Sequence, residues 1–363
     1  MPVATTERPV SERAAYVARP TVLVDGQRNA TVTEMARVCV VREAEGGLAT
    51  LALTLSNWGV TEGSIGFVFD AGGAIALGTT LKVYMGETTS PRAVFEGTVH
   101  AIEANACTGA PPEITFLAED RLFAARLARR SAVYADATLA EVVNAVAQRL
   151  GLQADVGELG SATGTWAQFD ESDLAFLRRL LARHDADLQL SDGRLQVRRI
   201  ADRDRGELSL SMYSQLQRLR IVADLAQQVT EVSAGGFDVA SGRAFSASSR
   251  GAAAGPGSGT QGAAALAALQ PRSEHLAPLA CRDEAEARAL ADAAFDQRAR
   301  RFVRAHGSTE GNAELRVGTT LRLDGSGRRF DNRYAVVEAT HRWDLVSGYQ
   351  TDFVAQSAYL ANP

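Results

Sequence analysis

Cysteine and lysine are both scarce in this sequence of 363 residues. Its three cysteines, Cys39, Cys107 and Cys281, lie far apart, and Lys82 is the only lysine. A sparse, odd set of cysteines offers neither a disulfide framework nor the CxxC spacing of a metal site. We therefore expect a fold without disulfide bonds that forms in a reducing compartment.

Long apolar runs are missing as well. No run approaches the roughly 18 apolar residues that are needed to cross a bilayer, so we expect no membrane insertion. The N-terminus contains acidic residues and prolines but lacks the apolar region of a signal peptide. Residues 1–19 are therefore predicted to form a flexible N-terminal arm.

The sequence also lacks an excess of basic residues. Its formal net charge is −5, whereas a dedicated nucleic-acid-binding protein carries a basic footprint. We therefore expect no specific nucleic-acid partner. The remaining composition, 46% hydrophobic and 22% charged, is that of a globular protein, and at roughly 100–200 residues per domain the length predicts two to four domains.

Residues 20–118 consist of short β-rich runs, such as "ARVCVVRE" and "AVFEGTVHAIE", separated by Gly, Asn and Pro. Regularly spaced short strands with turn residues between them are typical of a sandwich or barrel. This range is predicted to form a first β-barrel-like domain.

Residues 119–207 have a different pattern and are predicted to form a helical and β-hairpin module. Thr138 and Glu141 have the spacing of a capping box, and apolar residues with helical spacing follow them. A second amphipathic helix is predicted in "ESDLAFLRRLLARH". Asp192 and Gly193 then separate two alternating runs, which indicates a hairpin because both residues tolerate positive φ.

Residues 208–363 return to short β-rich runs and are predicted to form a second β-barrel-like domain. Residues 249–272 are rich in Gly, Ala and Ser, so we expect a flexible loop there. The alanine-rich range 283–305 is predicted to be a long helix that starts near Asp283 and ends before Gly307.

One short stretch occurs twice. Residues 75–83, "IALGTTLKV", match residues 315–323, "LRVGTTLRL", with the same apolar alternation. His100 lies 22 residues after the first Gly-Thr-Thr glycine and His341 lies 23 after the second, so we expect the two histidines to be equivalent. The repeated positions are Gly78, Thr79 and Thr80 in the first copy and Gly318, Thr319 and Thr320 in the second.

The repeat has two interpretations, chance similarity and duplication. Under duplication the fold class is α+β and mainly β, with two related β-barrel-like (tube-type) domains, the inserted module, and a long helix before the C-terminal strands. A cyclic trimer of such a chain places six similar units around its axis. It could then contact a sixfold partner on one side and a threefold partner on the other, provided that both domains lie at the same radius.

Several stretches resemble the phage late control D and VgrG family of hub proteins, over roughly residues 20–360. The central one is "TWAQFDESDLAFLRRLLARHDADLQLSDGRLQVRR", which contains the motif positions Gln168, Glu171, Ser172 and Asp173. "RYAVVEATHRWDLVSGYQTDF" is similar to the closing hairpin of that family. Its motif positions are His341, Trp343 and Asp344. Asp185 stands where the family usually has a glycine after the long helix.

The resemblance implies a structural baseplate hub of a phage-tail-like contractile particle. Such a hub is a trimer that joins a hexameric inner tube to a trimeric spike and contacts other baseplate components. The chain ends at Pro363, after the closing hairpin, so we expect either that the spike is a separate protein or that this chain was shortened. The hub would assemble in the cytoplasm and become part of a phage or an injection-system particle.

No catalytic motif is evident. The sequence lacks HExxH, GxSxG and a Walker A lysine, so we expect no enzyme activity, cofactor or metal. The acids of "FDESD" could serve a peptidoglycan hydrolase, with Glu171 as the catalytic group, but acids and serine are expected at a helix start. His184, Asp185 and Asp187 could bind a metal, although a solvated turn is the simpler interpretation.

A carbohydrate-binding adhesin is the other alternative. Trp166, Trp343 and Tyr349 could stack on sugars, but in strands they are expected to act as core or interface anchors. We expect Trp343, beside Asp344, to be a packing anchor of the closing hairpin.

Overall fold

A computed structural model describes residues 19–61, 63–70, 74–86, 91–239, 241–251, 254–277 and 281–362. The predicted N-terminal arm, residues 1–19, lies outside these ranges except for its last residue. The described part is mainly β with a smaller helical fraction, which confirms the α+β class. None of its helices has the length and apolar character that a membrane-crossing helix requires.

The first β region alternates buried and exposed side chains along its strands. In β4, for example, Leu51, Leu53 and Leu55 are all buried, because residues two apart face the same side of a strand. The elements of this region are β1 (Thr21–Val24), β2 (Gln27–Arg28), helix α1 (Ala30–Met35), β3 (Ala36–Ala44), β4 (Thr50–Ser56), β5 (Gly59–Thr61), β6 (Ser64–Gly66), β7 (Thr80–Met85), β8 (Arg92–Asn105) and β9 (Glu113–Glu119).

The inserted module contains the predicted capping box. The Oγ1 atom of Thr138 accepts from the Glu141 amide at 3.2 Å, and Oε2 of Glu141 accepts from the Thr138 amide at 2.7 Å. Asp192 and Gly193 form the predicted turn, with φ of 50° and 74°. The elements of the module are α2 (Phe123–Leu127), β10 (Arg129–Ala137), α3 (Leu139–Arg149), β11 (Gln153–Val156), β12 (Gly164–Ser172), α4 (Asp173–Ala182), β13 (Ala186–Ser191), β14 (Arg194–Arg199) and a 3₁₀ turn (Ile200–Asp202).

The second β region carries two helices between its strands. Its elements are β15 (Glu207–Ser211), β16 (Leu216–Ala223), β17 (Glu231–Asp238), β18 (Arg243–Ser249), β19 (Thr260–Gln261), α5 (Gly262–Ala267), β20 (Ser273–His275), α6 (Glu284–Arg300), β21 (Val303–Glu310), β22 (Thr320–Asp324), β23 (Asn332–Asp344), β24 (Gly348–Ser357) and β25 (Tyr359–Leu360).

The long helix is shorter than predicted. Asp283 caps α6 as expected, because its carboxylate accepts from the Glu286 amide at 2.7 Å. The helix ends at Arg300, however, and the remainder of the predicted range 283–305 belongs to β21 and the turn before it. β21 pairs with β16 on one side and β24 on the other. This pairing overrides the local helix propensity, and Gly307 lies inside the strand rather than after a helix.

The predicted flexible loop 249–272 is also wrong in part. It contains β19 and α5, and Gly262 at the start of α5 is buried. A Cβ atom on Gly262 would lie 2.5 Å from Oε1 of Gln228 and 2.7 Å from the Phe302 ring. The small residues of this segment therefore permit close packing against the second β region. Residues 252–253 of the predicted loop lie outside the described residues.

Six strands of each β region have the same spatial order. In the first region the order is β1-β7-β8-β9-β4-β3, and in the second it is β15-β22-β23-β24-β21-β16. If the six strands of each region are numbered in chain order, the spatial order in both regions is first, fourth, fifth, sixth, third and second. Neighbours are antiparallel throughout, except that β15 is parallel to β22 while β1 is antiparallel to β7. This shared topology favours duplication, and we call the two six-strand units the first and second halves.

Irregularities in the strands also repeat between the halves. β3 has a register shift against β4 at Arg37, and β16 has one against β21 at Gln217. β8 has a shift against β9 at His100, and β23 has one against β24 at Val337. Bulges are local features that homologous strands tend to keep, so these shifts align the two halves residue by residue.

The alignment corrects the expected equivalence of His100 and His341. His100 corresponds to Val337, and His341 corresponds to Ala104. The cause is the loop of the preceding hairpin, since Thr80 pairs with Thr98, 18 residues on, whereas its counterpart Thr320 pairs with a residue only 15 further along.

The first Gly-Thr-Thr turn is held by backbone hydrogen bonds to β8. Gly78 has a φ of 90°. Its amide donates to the Val99 carbonyl at 2.9 Å, and the Val99 amide donates to the Thr79 carbonyl at 2.9 Å. The Thr79 hydroxyl accepts from the Ala76 amide at 2.9 Å.

The second turn repeats this pattern against β23. Gly318 has a φ of 92°. Its amide donates to the Val336 carbonyl at 2.9 Å, and the Val336 amide donates to the Thr319 carbonyl at 2.9 Å. The Thr319 hydroxyl accepts from the Arg316 amide at 3.2 Å. The repeated sequence therefore encodes a repeated turn.

The two halves are joined in one sheet of 13 strands. The C-terminal part of β23 pairs antiparallel with β3, in a register that runs from Glu338 opposite Ala44 to Asp344 opposite Val38. The first part of β23 pairs with β22 of its own half. One long strand thus belongs to both halves.

Replacing either turn glycine by alanine should destabilise the protein by a similar amount. In Gly78→Ala and Gly318→Ala the added Cβ meets open space or makes ordinary contacts. The loss of stability therefore comes only from holding alanine in a left-handed backbone conformation, about 1–2 kcal/mol. Urea-unfolding midpoints at one protein concentration measure it, with Gly66→Ala as a control at ordinary φ. A loss at one turn and none at the other would contradict the equivalence of the turns.

Candidate assembly interface

The junction between β3 and β23 is a packed apolar contact. On its buried face β3 contributes Cys39 and Val41, and β23 contributes Ala339 and Trp343, all at most 4% exposed. Trp343 and Tyr349 come from the second half but pack in the core of the first half. The two halves therefore share a core as well as a sheet.

A buried ion pair connects the second Gly-Thr-Thr turn to β3. Arg316 donates from Nε to Oε2 of Glu43 at 2.8 Å, and from Nη2 to the other carboxylate oxygen. Burial alone would raise the pKa of Glu43, but the Arg316 guanidinium outweighs burial and holds that pKa below its usual range. The pair is bidentate, which is the strongest geometry for arginine and carboxylate.

His341 lies beside this pair in β23 and is fully buried. Its Nδ1 is 2.8 Å from the Tyr349 hydroxyl. Burial, reinforced by the nearby Arg316 cation, lowers the pKa of His341 to about 3. The imidazole is therefore neutral at the pH of a cell, and it contributes to packing at the junction.

Asp344 closes the hairpin between β23 and β24. Its Oδ1 accepts from the Val346 amide at 2.8 Å and from the Ser347 amide at 2.6 Å. These backbone hydrogen bonds, that of Ser347 foremost, lower the pKa of Asp344. The carboxylate thus fixes the turn that follows the buried Trp343.

The inserted module is attached to the first half through Asp187. This carboxylate accepts from the Gly46 amide at 2.6 Å and from Nη1 of Arg203 at 3.0 Å. Arg178 of α4 donates to the carbonyls of Gly46 and Gly47, at 2.6 and 2.9 Å. The loop between β3 and β4 is therefore bound to the module from both sides.

The module is attached to the second half through Asp185. Its carboxylate accepts a hydrogen bond from Arg300 at the end of α6, and Gln297 of the same helix donates to the Ala182 carbonyl at 2.5 Å. Asp185 has a φ of 52°, so it keeps the left-handed conformation expected of glycine here and adds an ion pair.

The expected solvated turn at His184, Asp185 and Asp187 is therefore wrong. Asp185 and Asp187 are only 8% and 6% exposed, and they are paired with Arg300 and Arg203 respectively. Within the described ranges, no group of three or more metal-ligating side chains is close enough to hold a metal ion.

The motif residues around the start of α4 form a polar cluster inside the module. Ser172 caps the helix, since its hydroxyl accepts from the Ala175 amide at 3.2 Å. Asp173 is buried and accepts from Nη2 of Arg149 at 2.7 Å and from Nε2 of Gln168 at 2.9 Å. Arg130 makes a further ion pair with Asp173, at 3.2 Å. The cluster fixes the corner between β12 and α4.

Glu171 forms an ion pair on the outside of this corner. Arg179, two turns along α4, donates from Nε at 3.2 Å and also from Nη2. Hydrogen bonding from Arg179 lowers the pKa of Glu171. A lowered pKa suits a structural carboxylate and opposes the role of proton donor at neutral pH.

Sequence reasoning missed Glu43, Arg316 and Arg300. Two of them carried a signal. Glu43 lies two residues after Val41 and four after Cys39, so all three side chains are on the same face of the strand. A charged residue at a position where the alternation predicts an apolar one is such a signal. Arg316 occupies the position of Ala76 in the repeated turn, and such a difference between copies marks a contact that only one copy makes.

The fold and its junction define a protein built from a duplicated six-strand β unit with an inserted helical module. Solved structures with this fold include tail proteins. The 43 kDa tail protein of prophage MuSo2 from Shewanella oneidensis aligns with a TM-score of 0.67 and 12% identity, over 93% of this chain and 97% of that chain. The tail protein from Neisseria meningitidis MC58 aligns with 0.65 and 10%, over 95% and 98%.

A third structure is the E. coli c3393 protein, a component of the type VI secretion system with structural similarity to the T4 bacteriophage tail proteins gp27 and gp5. It aligns with a TM-score of 0.59 and 12% identity, over 94% of this chain and 79% of that chain. Residues 14–344 match the family model described as the Alg8 N-terminal domain, and the chain belongs to that family. A search of curated protein sequences finds no match.

Removing the arginine of the buried ion pair should destabilise the junction strongly. Arg316→Met leaves the Glu43 carboxylate buried without its cation, which typically costs about 3–5 kcal/mol. Urea unfolding measures the loss. The double variant Glu43→Leu/Arg316→Met should recover much of it, since it removes both charges. Arg322→Met, at an exposed ion pair of 3.7 Å on β22, is the control and should cost less than about 1 kcal/mol. Equal losses for the single and double variants would show that an unpaired Glu43 carboxylate is not the cause.

His341 should make the protein less stable as the pH falls. Below pH 6.5 the unfolded chain binds a proton at this residue, whereas the folded chain does so only near pH 3. Stability is therefore lost between those pH values, at up to about 1.4 kcal/mol per pH unit. Relative to His341→Gln, the wild-type unfolding midpoint should decline across this window, while His275→Gln at an exposed site should follow the wild type. Parallel profiles for wild type and His341→Gln would disprove the prediction.

Proposed function

We propose that this chain is the structural hub of a phage-tail-like contractile particle, of phage or injection-system type. Three copies form a ring that joins a hexameric inner tube to a trimeric spike. The observation that carries the proposal is the repeated six-strand topology with its repeated bulges. It allows three chains to present six similar units, which is the mechanical requirement for contact with both sixfold and threefold partners.

The fold likeness to tail proteins and to a type VI secretion component supports the same role. Other baseplate components would contact the ring from outside, and assembly would take place in the cytoplasm before the particle is complete. The chain's net charge of −5 suits a ring that does not bind nucleic acid tightly. No cofactor takes part in this function.

The alternative functions have weaker support in the arrangement of side chains. A peptidoglycan hydrolase would need Glu171 as a proton donor, but that carboxylate is paired with Arg179. The aromatics considered for a carbohydrate-binding adhesin, Trp166, Trp343 and Tyr349, are at most 9% exposed. We therefore propose that the chain is not an enzyme and acts through its shape and contacts.

The purified protein should be a trimer, with about three times the chain mass of 38.6 kDa. Light scattering after gel filtration, or native mass spectrometry at micromolar concentration, measures the mass. Averaged electron-microscope images of the particle should show a ring with six similar lobes. A strictly monomeric protein, both alone and beside its spike and tube proteins, would contradict the proposal.

A further inference from the structure

The C-terminal part of β8 is equivalent to the part of β23 that joins the two halves, but in the described residues one of its edges has no partner strand. Its counterpart in the second half is the part of β23 that pairs with β3, where Ala339 and His341 are fully buried. The corresponding Ile102 and Ala104 are exposed, Ile102 at 42%. One edge of β8 faces β7 and then, at Val99, the Gly-Thr-Thr turn. Beyond Val99, no strand in the described part of the chain pairs with this edge.

The outer edge of β16 is open in the same way. Its counterpart is β3, whose outer edge pairs with β23. β16 pairs with β21 alone among the strands of the described ranges, and its Val222 is 37% exposed. An exposed strand edge presents unpaired N–H and C=O groups that can bind another strand.

We propose that β8 of one copy pairs antiparallel with β16 of the next copy, so that the β23–β3 junction recurs between chains. The inference rests on the proposed ring and specifies how its subunits join. The chain carries both edges, one on each half, which gives a head-to-tail contact. Such a contact closes into a ring when the rotation permits, and three copies then contain three junctions within chains and three between them.

The repeated bulges determine the register of this contact. Ala101 corresponds to Glu338 and Asp224 corresponds to Ala44, which are opposite each other in the junction within the chain. Ala101 is therefore predicted to lie opposite Asp224 of the next copy, and the pairing continues antiparallel from there. In full, they are Ala101 with Asp224, Ile102 with Ala223, Glu103 with Val222, Ala104 with Ile221 and Asn105 with Arg220.

The side chains of the two edges are complementary in this register. One face joins Ile102 and Ala104 to Ala223 and Ile221, all apolar, as on the buried face of the junction within the chain. The other face places the exposed Glu103 diagonally across from Arg220, within reach of an ion pair. A shift by one residue would place the apolar side chains on the charged face.

The open edges lack the ion pair of the junction within the chain. Ala223 replaces Glu43, and Ala76 replaces Arg316. A free subunit therefore has no carboxylate at the position of Glu43 that must lose its water on assembly, and desolvating such a charge is costly. This difference suits a contact that forms between chains after each chain has folded.

Cysteine cross-linking in the trimer tests the register. In a Cys107→Ser background, one chain carries Ala104→Cys and a second carries Ile221→Cys. Opposite residues of antiparallel strands have Cα atoms about 4.5–5.5 Å apart, which a disulfide can span. Mixed trimers under mild oxidation should give a cross-linked dimer of one chain of each type. The control, Ala104→Cys with Arg220→Cys, puts the thiols on opposite faces and should give at least tenfold less.

A second variant pair tests whether this contact holds the ring together. Ile102→Lys should abolish the trimer while leaving the monomer folded by circular dichroism, because this side chain is 42% exposed and lies on an open edge. Val133→Lys, at a 68% exposed position in the module, should leave the trimer intact. A trimer that survives Ile102→Lys and forms no Ala104–Ile221 cross-link would overturn the inference while leaving the proposed hub in place. A wild-type chain that never assembles would overturn both.

Discussion

The pairing of β23 with β3 is the contact on which the rest of the structure depends. It makes one sheet of two halves, brings Trp343 into the core of the first half, and buries Glu43 against Arg316. Without it, each half would expose an edge strand and part of its core. Because the backbone hydrogen bonds, the apolar face and the ion pair all lie at one seam, the halves are held in a single relative position.

The inserted module reinforces that position. Asp187 binds the loop before β4 in the first half, and Asp185 binds the end of α6 in the second. Each carboxylate is buried, so neither can move away from its arginine without a large desolvation penalty. The module therefore contacts both halves and adds to the pairing that holds them in one relative position.

The two halves share a strand order but differ in sequence at particular positions. The turn glycines, the hydrogen bonds around them and two bulges are common to both halves. The residues beside the turns differ, since Arg316 stands where the other copy has Ala76. The seam within the chain thereby has a buried ion pair, while the equivalent positions of the other copy, Ala223 and Ala76, are uncharged. A covalently joined seam can accept a charge pair that would impede association between separate chains.

The sequence alone determined the features that depend on neighbours in the chain. The Thr138 capping box, the Asp192–Gly193 turn and the Gly-Thr-Thr repeat were all readable, because their hydrogen bonds span a few residues or repeat a local pattern. The end of α6 and the packing of residues 249–272 were not, because each depends on residues far away in sequence. The inequivalence of His100 and His341 was not readable either, because it depends on the lengths of the hairpins that precede them. The seam itself lies between residues some 300 positions apart, so only tertiary structure could decide it.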